Sequence, residues 1–185
     1  METMEKPSFY SYILELAKII ALAILIVIPV RCFIFQPFVV NGSSMMPSFH
    51  NGDYVIVDEI SYRFSNPQRG DVIVFHFPKN PSERFIKRVI GLPNEKVKIS
   101  GSKIIITKES GKKIVLDEKY IPKTIYLGNE EVSLAKDEYF VLGDNRAFSY
   151  DSRRWGLLKR KQIIGKVLFR IWPATAMAYI ETPNY

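Results

Sequence analysis

The chain has 185 residues, 47% of them hydrophobic, and a formal net charge of +7. That size sets one domain with room for a tail or an anchor, and the apolar fraction excludes a disordered chain. A single cysteine, Cys32, excludes an intrachain disulfide, and with only two histidines, His50 and His76, neither a metal site nor a cofactor is expected.

The first predicted element is a helix. Residues 1–12 read as a short tail and residues 13–31 as a signal-anchor transmembrane helix. The uncharged part, Ile19 to Val30, is short for a span. Extension back to Ile13 lengthens it at the cost of including Glu15 and Lys18, which lie three apart near one end and can pair or snorkel. No small-residue cleavage site follows, so the segment reads as uncleaved, and Pro29 kinks or ends it. The flanking charges set no topology. The basic clusters Arg153-Arg154 and Lys159-Arg160-Lys161 are short and come without a nucleic-acid-binding signature. Nucleic acid is therefore not an expected partner, and anionic lipid headgroups suit the basic balance better.

Beyond the anchor the pattern turns to short β-branched or aromatic runs separated by Gly, Pro, Asn and Asp: Tyr54–Val57, Asp71–Phe75, Glu83–Gly91, Lys96–Ile99, Lys103–Thr107 and Glu138–Leu142. Ser100-Gly101-Ser102 and Glu109-Ser110-Gly111 read as hairpin turns. Residues 32–185 are thus a mainly antiparallel β domain, sheet or barrel-like, with a short β-hairpin insert near 98–137.

Three polar segments carry candidate chemistry. Asn41-Gly42-Ser43-Ser44-Met45-Met46-Pro47 is serine-rich and lies just past the apolar helix. By local composition alone it is a turn. It is not a nucleophile elbow, since Met46 stands where the second glycine belongs. No spacing ties His50 or His76 to a serine. Lys87 lies in a strand that places it on one face with Phe85 and Val89. Its bland reading is an edge lysine with its head in water. A free lysine has a pKa of ~10.4, so near pH 7 only about one in 2,500 is neutral. A base lysine must therefore be desolvated in an apolar pocket. Gly143 to Gly156 follows a predicted strand and holds two carboxylates, three arginines, an amide and two serines. On its own it reads as a solvated loop.

Ser44-Met45-Met46-Pro47, Arg69–Phe75, Ile86–Pro93, Gly143–Gly156 and Gly165–Pro173, in this order after one apolar helix, resemble the type I signal peptidases in their compact, single-anchor form. The resemblance implies a membrane-bound serine endopeptidase that removes N-terminal signal peptides from exported preproteins by a Ser-Lys dyad. Ser44 would be the nucleophile, Lys87 the general base, and Ser149 the hydroxyl that orients Lys87. Asp151 and Arg153 would form a supporting pair, Gly143 would leave room beside the lysine, and Asp144, Asn145 and Arg146 would hold the loop. The Ser44 N–H would be one oxyanion donor. Gly42 occupies the position from which some members offer a hydroxyl, which leaves the second donor open. Val40, Phe49, Phe85 and Ile86 match positions that line the pockets for small substrate residues. Phe33 to Phe38 would rest on or in lipid. The body would face the extracytoplasmic side of the cytoplasmic (inner) membrane, with signal peptides and membrane lipid as partners. The alternatives are a peptidase dedicated to one secretion or conjugation substrate, a self-cleaving relative, and an inactive membrane-anchored binding module.

Overall fold

The computed structural model describes residues 9–33, 35–122, 125–183 and 185. The chain opens with helix α1, Phe9–Phe33. Among the described residues no helix is long and apolar enough to cross a membrane. The expected span over residues 13–31 is therefore not supported among the described residues.

The body is built of strands β1 (Phe35–Val39), β2 (Tyr54–Asp58), β3 (Val72–Phe77), β4 (Asn80–Gly91), β5 (Lys96–Ser100), β6 (Lys103–Thr107), β7 (Lys113–Val115), β8 (Asn129–Ser133), β9 (Glu138–Leu142), β10 (Leu158–Lys159), β11 (Ile163–Trp172) and β12 (Ala178–Tyr179). One-turn helices α2 (Ser61–Phe64) and α3 (Ser152–Trp155) connect them. The larger sheet runs β1-β2-β11-β3-β4-β9-β10, with β12 on β11. Every described pairing in it is antiparallel. β1 and β10 end the path, and among the described residues they do not pair with each other, so the sheet is open and the barrel-like expectation is corrected. Register shifts in β11 between Val167 and Phe169 and between Arg170 and Trp172 bend the sheet without closing it.

Strand β3 is apolar along most of its length because it is buried on both faces. Ile73, Phe75 and Phe77 join one core cluster, while Val72 and Val74 join another on the opposite face. The second sheet, ordered β7-β6-β5-β8, is larger than a hairpin insert. It has one buried face: Val97 and Ile99 of β5 pack inward, while Lys96 and Lys98 point out toward Glu131. Its core also takes Ile90, Phe140 and Leu142 from the large sheet, which joins the two. Of Phe33–Phe38, expected on or in lipid, Ile34 lies outside the described residues, Phe33 ends α1, and residues 35–38 belong to β1, which pairs with β2, with Phe38 packed against the second core cluster.

Candidate active site

The serine-rich turn is held by its apolar residues. Met45 and Phe49 are fully buried among Val40, Val55 and Val74, and the Phe49 N–H donates to the Met45 carbonyl at 2.9 Å. The ends of the turn are tied together by Val40 N–H to Asp53 O and Gly52 N–H to Val40 O, both 2.8 Å. Arg170 donates to Ser48 O at 2.9 Å and to the Asp53 carboxylate at 3.2 Å. With Met45 pulled into the core, Ser44 is left half-buried at the lip of a cleft of about 620 Å³.

Strand β4 brings Lys87 to the same point. Its Nζ donates to Ser44 Oγ at 2.8 Å and to the Ile86 carbonyl at 2.8 Å. Lys87 is 4% exposed, so the bland reading of a solvated edge lysine does not hold. Burial pushes its pKa from the ordinary 10.5 down to about 8, against the opposing pull of the Asp151 and Asp144 carboxylates. The Phe85 ring lies 5.4 Å from Nζ and covers one side.

The loop from Gly143 to Asp151 closes the site from behind, and its polar residues form a connected scaffold. Asp144 takes both forks of Arg88, at 2.9 and 2.6 Å, and Arg88 also donates to Gly70 O at 2.9 Å and stacks on Tyr120. The Asn145 N–H donates to Ser44 O at 3.0 Å and its side-chain amide to Ser43 O at 3.1 Å, which fixes the carbonyls of both serines. Arg146 grips Glu118 with two bonds, 2.7 and 2.6 Å, and donates to Gly143 O at 3.0 Å. Asp151 accepts both forks of Arg153 at 2.8 Å, accepts from the Gly143 N–H at 3.2 Å, and caps α3. A Cβ on Gly143 would stand 2.3 Å from Ser149 Oγ and 2.4 Å from Ser44 O, so no other residue fits there without displacing the loop.

Three expected roles differ from the geometry. Ser149 Oγ is buried beside Gly143 but has no hydrogen-bond partner among the described residues, so the expected bond to Lys87 is not formed; the lysine's donors go to Ser44 and Ile86. The Gly42 N–H donates to Asn51 Oδ1 at 2.8 Å, so it is spent locally and is not offered to an oxyanion. Phe49 lies in the core and does not line the cleft, because its side chain is the anchor of the turn. Val40, Phe85 and Ile86 do line it, with Val55 and Val74 adding to the apolar wall. The Ser44 N–H has no acceptor among the described residues. Residue-level reading missed the Arg88–Asp144 and Arg146–Glu118 pairs and the Asn145 clamp. Each joins positions far apart in the chain, and no spacing signal marks them. His76 Nδ1 lies 2.7 Å from Pro81 O, outside the cleft, and the described residues hold no cluster suited to a metal ion.

Comparison with known proteins places the sequence beside one family. The family described as signal peptidase, peptidase S26, matches residues 13–172. The chain is 38% identical over 187 residues to signal peptidase I of Leptolyngbya laminosa, covering 96% of this chain and 89% of the relative. It is 36% identical over 190 residues to signal peptidase IB of Staphylococcus aureus strain MRSA252, covering 93% of this chain and 96% of the relative. A crystal structure of a signal peptidase I from Enterococcus faecalis V583 is 31% identical, covering 55% of this chain and 97% of that chain with a TM-score of 0.47.

Proposed function

The chain belongs to the signal peptidase family, peptidase S26, and from that premise we propose that it is a serine endopeptidase that removes signal peptides from preproteins through Ser44 and Lys87. The observation that carries the assignment of residues is the 2.8 Å contact of a buried Lys87 Nζ with Ser44 Oγ at the lip of an apolar cleft.

The chemistry follows from the positions of the atoms. With Lys87 protonated, Nζ donates to Ser44 Oγ. Once the amine is neutral the bond reverses, and the hydroxyl donates to the nitrogen lone pair. Ser44 Oγ then attacks the carbonyl carbon of the scissile peptide as its proton passes to Lys87. The developing oxyanion is met by the Ser44 N–H, a donor without an acceptor in the chain among the described residues. Collapse of the tetrahedral species breaks the C–N bond, and the Lys87 ammonium gives its proton to the leaving amine. The neutral lysine next deprotonates a water that attacks the ester, which releases the acyl product and restores Ser44. Ser149 is the orienting residue in this scheme. Its unpartnered hydroxyl lies against Gly143 and is available to the lysine when Ser44 Oγ is acylated.

Val40, Val55, Val74 and Ile86 form shallow apolar walls, which suit small side chains and exclude bulky ones. α1 anchors the body to the cytoplasmic membrane in this reading, with the catalytic domain on the extracytoplasmic side. Leu14, Leu16, Ile19, Ile20, Leu22 and Leu25 are all exposed on it, an apolar surface that lipid would cover.

The test is cleavage of a preprotein bearing an Ala-x-Ala site by the detergent-solubilised chain, with Ser44→Ala, Lys87→Met and Ser149→Ala beside it. Cutting after the second alanine by wild type, silence of the first two variants and a slowed Ser149→Ala support the scheme. Cutting by all four places the activity elsewhere. Retention of the wild-type chain in the membrane pellet after carbonate extraction tests the anchor.

A further inference from the structure

The cleft extends past the apolar wall, and a charged side chain lies along the extension. Arg84 lines it, three residues before Lys87 on β4. From Arg84 to Lys87 the strand pairs with β3 on one side only, since β9 takes up the other edge from Arg88 onward. That open edge faces residues 38–44 across the cleft. Strand alternation puts Arg84 on the same face as Ile86. The neighbours agree: Ile86 packs with Val40, Val55 and Val74, and the Arg84 guanidinium stands 5.2 Å over the ring of Phe38, which packs on the same cluster.

Among the described residues the charge on Arg84 is not answered. It is exposed and makes no ion pair among the described residues. The nearest acid in sequence, Glu83, accepts from the Asn80 amide at 2.7 Å. His76, opposite Arg84 on β3, faces the Pro81 carbonyl. Among the described residues no carboxylate lines the cleft, and its other cation, Lys87, is engaged with Ser44 and Ile86.

We propose that Arg84 is a specificity-determining residue that favours an acidic side chain five residues before the scissile bond and disfavours a basic one there. The proposal rests on the reading of Ser44 and Lys87 as the cleavage site. A substrate strand laid along the open edge of β4 keeps a period of two. The side chain facing the apolar wall at Ile86 belongs to the third residue before the bond. The next side chain on that face lies two residues, about 7 Å, farther out and meets Arg84. The fourth residue points to the opposite face, on the side of Phe85. Because the pair is exposed, each change of charge is worth roughly threefold in kcat/KM, and salt weakens it.

The experiment uses preproteins with an Ala-x-Ala site and Asp, Ala or Lys at the fifth residue before the bond, and a matching set varied at the fourth. The full chain and its Arg84→Glu variant are assayed on both sets at low and high salt. Wild type is expected to rank Asp over Ala over Lys at the fifth residue, spanning roughly tenfold at low salt. The variant is expected to reverse that order, and the fourth-residue set to stay flat in both proteins. Indifference of wild type to charge at the fifth residue overturns the proposal, as does an unchanged order in the variant. A uniform fall across every substrate also overturns it, since Arg84 would then serve the fold or the lipid surface. In these three outcomes the alanine substrate is still cut. If neither protein cuts the alanine substrate, the reading of the cleavage site fails and the proposal falls with it.

Discussion

Lys87 has opposite consequences for rate and for stability. As a base it must be neutral, so kcat/KM is expected to rise about tenfold per pH unit below a midpoint of about 8 and to level off above it. A profile flat from pH 6 to 10 with chemistry rate-limiting counts against a lysine base. For stability the sign is reversed. The folded pKa is lowered from 10.5 to about 8, so between those values the unfolded chain binds more protons and stability rises with pH. Below about pH 8 the buried charge costs on the order of 3 kcal/mol, a penalty that Lys87→Met removes. The Tm of the variant relative to wild type is therefore expected to be greatest near pH 7 and to shrink toward pH 10.5. A difference independent of pH sinks this account. Resemblance pointed to Ser44 and Lys87. The lysine's burial was not legible, because a strand residue with apolar neighbours is equally consistent with a solvated edge.

The turn from Asn41 to Asp53 and the loop from Gly143 to Asp151 meet at one peptide. Asn145 holds the carbonyls of Ser43 and Ser44 from the loop side, and Gly143 lets the loop approach. A methyl group there has backbone on one side and Ser149 on the other, so neither partner can yield cheaply. Gly143→Ala is expected to destabilise by roughly 1–3 kcal/mol and to lower kcat by more than tenfold, read by thermal denaturation and single-turnover cleavage. Wild-type kinetics in that variant would show that the loop shifts freely and does not set the nucleophile. β-branched runs made β2, β3, β5, β6 and β9 readable within a residue or two. β1 was not readable as a strand, because Phe-Gln-Pro-Phe-Val continues the apolar character of the helix before it. Only pairing with β2 gives it a place in the sheet.

Across the whole molecule, the second sheet is tied to the site through one buried ion pair. Arg146, in the loop from Gly143 to Asp151, and Glu118, between β7 and β8, are 0% and 9% exposed in their side chains. Removal of one partner leaves the other charge buried and unpaired. Arg146→Met is expected to cost roughly 3–5 kcal/mol and to lower activity through the loop, while the double variant Arg146→Met/Glu118→Leu recovers much of the stability. A single variant as stable as wild type, measured by urea denaturation, would show that water reaches Glu118 and that the pair does not join the parts. The second sheet grew from an expected hairpin to four strands because β8 returns across a long connection to pair with β5. Hairpin turns mark neighbours in the chain, and nothing local marks that return.

The sequence by itself determined the mainly β character and the apolar helix before it, because periodicity is a local property, and its short motifs carried the resemblance that put forward Ser44 and Lys87. The tertiary structure decided what distance and burial control. It joined Ser44 to Lys87 across 43 positions, desolvated the amine, and left Ser149 Oγ without a hydrogen-bond partner among the described residues. It also drew Phe49 out of the cleft into the core and left the sheet open rather than barrelled. These outcomes depend on which residues meet after folding and on how much water remains between them. Side-chain pairing and dielectric are properties of the packed chain, and no stretch of sequence carries them alone.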